Sequence, residues 1–247
     1  AELSTDRVNA GNPNLVPQQT WEFRGTVERP LLGEGIAKLD LGYDLVNDLQ
    51  DRVLICDPED LDECFDAPGN LGTGKRYFAR LTLDAPLGKL GLKGVRVKFD
   101  GTLQRTRVDD PIDGDPRNWS DFFPDWQWNV DVRHDLGKFS YGFNVGDRDR
   151  FTFFRTDEYD TNYNGGPFGT AFVEYRPRDG TTITLDLENA LDTSGNRNRL
   201  LFRPNRAVTD QIFNEFRERN RHLNFGLTLK QTFGGGGGNG SGVAQPS

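Results

Sequence analysis

The sequence contains no methionine, two cysteines, two histidines and no long apolar run. Its longest run of consecutive hydrophobic residues, Val53 to Cys56, falls far short of the roughly 20 apolar residues that a membrane helix needs, so helical insertion is excluded. Cys56 and Cys64, with only His134 and His222 as further soft ligands, do not make a zinc site. Positive charge is in deficit: 30 Lys and Arg against 38 Asp and Glu give a net charge of −8, which argues against a nucleic-acid partner. With Ala1 first and no Met, the chain reads as a processed or internal piece of something longer, so no signal peptide is to be expected in it.

What is abundant points elsewhere. Mean hydropathy is −0.68 and only 34% of residues are hydrophobic, yet aromatics reach 11%, with 18 Phe and 29 Gly. That combination suits an all-β chain with many tight turns better than a helical one. Cys56 and Cys64 close the acidic stretch CDPEDLDEC. A local pair in such a loop reads as a disulfide formed in an oxidising compartment, the alternative being an inert reduced pair.

Period-two alternation resolves the chain into about nine segments of strand type. Ala37, Leu39, Leu41, Tyr43 and Leu45 share one face, and Lys38, Asp40 and Asp44 the other. Tyr77, Ala79, Leu81 and Leu83 oppose Arg76, Arg80, Thr82 and Asp84; Val95, Val97, Phe99 and Leu103 oppose Arg96, Lys98, Asp100 and Gln104. Trp126, Trp128, Val130 and Val132 oppose Asp131 and Arg133, and Phe139, Tyr141, Phe143 and Val145 oppose Ser140 and Asn144. The same holds for Ala171 to Tyr175, for Ile183, Leu185 and Leu187 against Asp186 and Glu188, and for Leu223 to Phe233 against Lys230 and Thr232. With Trp21 to Glu28 added, each segment has about the 9 to 11 residues that cross a bilayer as a tilted strand.

The connections sort by length. Short Gly-bearing turns follow Arg29, Pro86, Leu136 and Pro177, and long polar loops run from Gln50 to Lys75, Asp109 to Pro124, Arg155 to Pro167 and about Asp192 to Arg221. Short turns at one end and long loops at the other are the asymmetry of an outer-membrane barrel, with the short turns periplasmic. The expected fold is therefore an antiparallel up-and-down transmembrane β-barrel, its apolar face toward lipid and its charged face toward a wet lumen, every backbone group paired between strands. The expected lumen-facing set is Lys38, Asp40, Arg80, Asp84, Arg96, Lys98, Asp100, Asp131, Arg133, Asp186, Glu188 and Lys230. Its mixed signs favour bridging across the wall over a one-sign selectivity field.

Three ordered landmarks then resemble one family. GNPNLVPQQTWEFRGTVE, Gly11 to Glu28, is similar to the extracellular-loop-to-strand motif of TonB-dependent outer-membrane receptors, a Gly-Asn-Pro-x-Leu-x-Pro stretch before an aromatic-rich strand. TTITLDLENALDTSGNRNR, Thr181 to Arg199, resembles the family's penultimate strand with its Asn-Leu-hydrophobic-Asp element, present here as Glu188, Asn189, Ala190, Leu191 and Asp192. HLNFGLTLKQTF, His222 to Phe233, resembles the final strand with its closing aromatic. The resemblance implies the C-terminal strands of a larger, 22-stranded barrel whose lumen holds a plug. It also implies partners: the remaining N-terminal strands and plug, the TonB complex reached through that missing part, outer-membrane lipid, and a small-molecule or oligomeric nutrient. Residues 1–20 are then an extracellular loop segment and 21–233 the barrel strands with their outer loops. One departure is that Phe233 is not terminal; Gly234 to Ser247 follows and reads as a flexible periplasmic tail.

Other chemistry fares less well. The Asn12 to Leu15 string also resembles haem receptors, but no His precedes His134. Asp57, Glu59, Asp60, Asp62 and Glu63 could hold a hard cation, yet their spacing fits no calcium loop and a solvated acidic loop is the plainer reading. A hydrolase needs nucleophile and base on one face, whereas parity sends His134 outward and Ser140 inward. No catalytic residue, metal or cofactor is expected. Trp126 and Trp128 read as girdle residues, and Trp119, Phe122, Phe123, Tyr159 and Tyr163 in the outer loops as candidates for substrate contact. The expected function is TonB-dependent uptake of a scarce nutrient (siderophore, cobalamin, saccharide or peptide) across the outer membrane of a Gram-negative bacterium. The alternative is a passive or structural barrel without a working plug.

Overall fold

The computed structural model describes residues 11–56, 64–120, 124–203, 205–207 and 211–232. Nine long strands follow one another in a single antiparallel sheet: β1 (Gln19–Leu31), β2 (Gly35–Asn47), β5 (Gly74–Pro86), β6 (Val95–Asp109), β8 (Trp126–Leu136), β9 (Phe139–Arg148), β12 (Phe168–Arg178), β13 (Thr181–Glu188) and β16 (Asn224–Gln231). Each pairs with its neighbours in that order, so the wall is an up-and-down meander. It is open: β1 and β16 are its two edges and do not pair with each other. All nine segments read from the alternation are present, and the short turns lie together at one end.

The turns explain that end. Leu32 (φ 51) and Gly33 (φ 101) reverse the chain between β1 and β2, and Gly180 (φ 75) does so between β12 and β13. Left-handed backbone is where glycine is favoured. Gly35, just past the first turn, has no room for a Cβ, which would lie 2.2 Å from the Asp84 carbonyl oxygen.

Register keeps the two faces separate across the whole width. Leu39 stands between Val27 and Leu81, Val132 between Val97 and Phe143, and Leu185 between Val173 and Leu227. Beside them, Asp40 stands between Thr26 and Arg80, and Glu174 between Ser140 and Thr184. A slip of one residue at any ladder would throw apolar side chains among charges, so the pattern itself fixes the register.

The apolar face is uncovered. Phe225 and Leu227 are 70% and 76% exposed, and Trp21, Phe23, Leu41, Leu103, Phe139 and Val173 are exposed as well. Among the described residues the buried apolar side chains are Val46, Leu49, Ala67, Val108, Pro124 and Leu201. A chain of this length folded against water would bury most of its large apolar groups in one core; here they form a continuous outer surface.

The long connections depart from the expectation of irregular polar loops, because most of them continue as strand. The first carries β3 (Gln50–Cys56) and β4 (Cys64–Asn70), paired as a hairpin. The second adds β7 (Pro116–Arg117) to the end of β6. The last two supply β10 (Phe151–Phe154), β11 (Glu158–Asn164), β14 (Ser194–Leu201) and β15 (Phe213–Asn220), which form a four-stranded sheet in the order β10-β11-β14-β15. In β14 and β15 polar residues largely alternate with polar ones, so no apolar face marks the period. Phe233, the tail 234–247, the acidic stretch 57–63 and residues 1–10 lie outside the described residues.

Candidate functional site

Two layers make up the site: the charged face of the wall and the extension that continues from its long-loop end. On the wall, register puts all twelve residues expected in the lumen on one face. Ion pairs tie several of them across strands: Arg96 grips Asp84 through Nε and Nη2 at 2.5 and 2.8 Å, Arg80 reaches Asp100 at 2.7 Å, and Arg133 reaches Glu174 at 3.2 Å. Lys38 pairs with Asp40 at 3.0 Å along β2. Lys98, Asp131, Asp186, Glu188 and Lys230 make no ion pair among the described residues.

Aromatic rings on this charged face went unread in the sequence. Phe78 lies under the guanidinium groups of Arg24 and Arg76 at 5.0 and 4.6 Å, and Phe172 under Arg133 at 5.2 Å. Gly42 makes the first stack possible, because a Cβ there would meet the Phe78 ring at 2.1 Å. The available signal was an aromatic out of phase with its strand, between Arg76 and Arg80. These cation-π contacts add to ion pairs that the same groups make, Arg24 and Arg76 with Asp44 and Arg133 with Glu174.

A cavity of about 740 Å³ opens on this face, lined by Arg76, Phe78, Arg80, Asp100, Gln104, Arg148 and neighbours. A second, of about 660 Å³, shares Arg148, Asn164 and Phe168 with it and extends along the β11–β14–β15 sheet. The two therefore adjoin at those three residues, where the wall meets the extension.

A buried ion network holds the extension down. Arg117 and Arg206 are 7% and 5% exposed at their side chains, and Asp51 and Asp110 are as deeply covered. Arg117 donates to Asp110 at 2.7 Å and to Asp51 at 3.0 Å; Arg206 donates to both oxygens of Asp110 at 3.1 and 3.0 Å and to the Arg155 carbonyl at 2.8 Å. Phe154 stacks under Arg117 and Tyr159 under Arg206, each at 4.5 Å. Residues from four separate connections are thus locked together. Burial pushes the Asp110 carboxyl up, but the Ile112 N–H and the two arginines outweigh it and hold it below the ordinary value. For Asp51 burial wins over Arg117 and the carboxyl is raised.

The residues expected to touch substrate separate into distinct roles. Trp119 packs on the Val46, Leu49 and Val108 cluster, and its Nε1 donates to the Arg107 carbonyl at 3.1 Å. Tyr159 accepts a bond from Arg206 and meets Phe154 and Phe202 edge-on. Tyr163 lines the 660 Å³ cavity. Phe122 and Phe123 lie outside the described residues. Cys56 is disulfide-bonded, and the register of the β3–β4 hairpin sets it opposite Cys64. His134 is on the apolar face with its Nδ1 2.9 Å from the Tyr141 hydroxyl, while Ser140 is fully buried on the charged face beside Asp135. His222 pairs with Asp192 at 3.4 Å.

No family model, no curated protein and no solved structure matches the chain. The functional reading therefore rests on the geometry.

Proposed function

We propose that this chain is part of the wall of a transmembrane outer-membrane β-barrel, a receptor that takes up a scarce nutrient with TonB-dependent energy, as the sequence landmarks from Gly11 to Phe233 imply. One observation carries the barrel reading: a continuous, uncovered apolar sheet face backed by a charged face whose polar groups are largely paired. Lipid is the environment that such an outer face fits, and sheets persist there only when every edge is paired.

The open edges support a partner of definite kind. Counting along the antiparallel order, β1 and β16 run in the same direction. Closure of the wall on itself, or with a second copy inserted in the same orientation, would set parallel strands at the seams. An odd number of further antiparallel strands closes both seams with antiparallel pairs, and the N-terminal strands of a 22-stranded barrel are such a set. The plug, in this reading, meets the unpaired Lys98, Asp131, Asp186, Glu188 and Lys230 in the lumen. The extension faces outside, where it binds the nutrient, and the short turns face the periplasm.

The chain performs no bond chemistry in this scheme; tight binding and displacement of the plug are the mechanism. A second reading, a passive or structural barrel, shares the wall and differs in lacking a plug and a TonB-binding segment in the rest of the protein. The test is topological. A single cysteine at Asp113 should react with an impermeant maleimide on intact cells and one at Gly180 should not. The reverse pattern, or recovery of the protein outside the outer-membrane fraction, overturns the assignment.

A further inference from the structure

We propose that the cavity of about 660 Å³ in the extension is a binding site for a compact multivalent anion carrying carboxylate or phosphate groups, with Arg219 and Arg221 as its open ligands. The inference rests on the receptor reading and names the chemistry that this site would recognise.

Charge is the first argument. The chain as a whole carries −8, yet five guanidinium groups line this cavity, those of Arg148, Arg197, Arg217, Arg219 and Arg221, against the single carboxylate of Asp160. Two of the five are already committed. Arg197 forms a two-point pair with Asp160 at 2.7 and 2.6 Å, and Arg217 is held by Glu215 at 2.5 Å. The guanidinium groups of Arg219 and Arg221 are exposed and make no ion pair or hydrogen bond among the described residues.

Spacing is the second. Arg217 and Arg219 alternate along β15 and so project from one side about 7 Å apart, and Arg221, just past the end of the strand, lines the same cavity. Like charges so placed repel one another, and Glu215 relieves only the first. The unrelieved pair is aligned to straddle two anionic groups of one ligand, and a guanidinium fork grips carboxylate and phosphate in two-point geometry.

Space is the third. The residue opposite Arg219 on β14 is Gly195, where even an added Cβ would find its nearest neighbour, the Arg219 carbonyl, 4.0 Å away. An open floor thus lies across from the open guanidinium group.

The experiment is calorimetric titration of the whole protein in detergent with citrate, pyrophosphate and neutral maltotriose. Citrate or pyrophosphate should bind at one site, with affinity falling steeply as salt is raised from about 50 to about 500 mM. R219Q/R221Q should weaken that binding by about tenfold or more, R219K/R221K should recover part of it, and K89Q at the short-turn end should leave it unchanged. Binding of neither anion, equal binding by R219Q/R221Q, equal loss in K89Q, or binding of maltotriose alone overturns the proposal. Because K89Q and the maleimide labelling report on the barrel separately, failure of the anion site with labelling intact leaves the receptor reading standing.

Discussion

In the wall, Leu185 is exposed between Val173 and Leu227, and the Arg80–Asp100 pair beneath that face is about half exposed. In the extension, Arg117 and Arg206 are nearly sealed, and their carboxylate partners with them. The wall spends its apolar residues outward and leaves its ion pairs wet; the extension buries charge around a small apolar cluster. The reason lies in what each part must resist. A wall gains its order from eight ladders of backbone hydrogen bonds, so side-chain pairs across it add little, exposed pairs being worth about 0 to 1 kcal/mol. The extension has short strands with few apolar contacts, so it depends on interactions whose loss is expensive.

The largest effect should follow from breaking the buried network. Arg117→Met leaves Asp51 without its arginine and Asp110 with Arg206 alone, and removal of one partner from a buried pair costs about 3–5 kcal/mol. Limited proteolysis should cut the extension rapidly while the wall keeps its sheet circular dichroism. Equal loss of both would erase the distinction between the two regions.

Next in size is a charge placed on the apolar face. Leu185→Arg should cost roughly 2–4 kcal/mol in a bilayer if it sits near the midplane, whereas Thr184→Arg, one residue away on the charged face, should be nearly silent. Unfolding from lipid vesicles compares the pair directly. Similar costs for both would mean that the apolar face does not meet lipid.

Acid should loosen the extension late. Asp110 has a depressed carboxyl, so the stability it contributes is present above its unfolded value of about 3.9 and is lost as pH falls through the lower folded value. Asp51 is raised by burial, so its ionised form opposes folding, and that opposition disappears as pH falls through its folded value. Proteolytic sensitivity of the extension should therefore not increase between about pH 6 and about pH 4.5, and should rise below about pH 3.5. A rise near neutrality would contradict the network.

The smallest effect belongs to a wall pair. Arg80→Gln should change stability by less than about 1 kcal/mol, measurable as a small shift in the denaturant midpoint. A loss as large as that of Arg117→Met would show that the two regions follow the same rule after all.

How legible each region was follows from the same contrast. Segments such as Val95 to Gln104 announce themselves because alternation is the cheapest physical record of a two-faced sheet. Strands β14 and β15 left no such record: SGNRNRLL and FNEFRERN alternate polar with polar. Within the site, the charged face of the sheet followed from parity alone. Phe78 stood out of phase, and its use as a platform for Arg24 and Arg76 depends on the neighbouring strand offering Gly42. Trp119 and Tyr159 looked like free loop aromatics, yet they carry the packing and hydrogen bonding of the extension.

By itself, then, the sequence determined the all-β class, the nine wall strands, their antiparallel succession and the sorting of turns by length, because period and turn chemistry are local properties. Only the tertiary structure decided that the long connections are themselves sheets, that Arg117 and Arg206 are buried while Arg219 and Arg221 stand open, and that the meander stops at two edges running the same way. Those outcomes depend on which distant segments meet, Asp51 with Arg117 and Asp110 with Arg206, and no window along the chain contains both partners of such a contact.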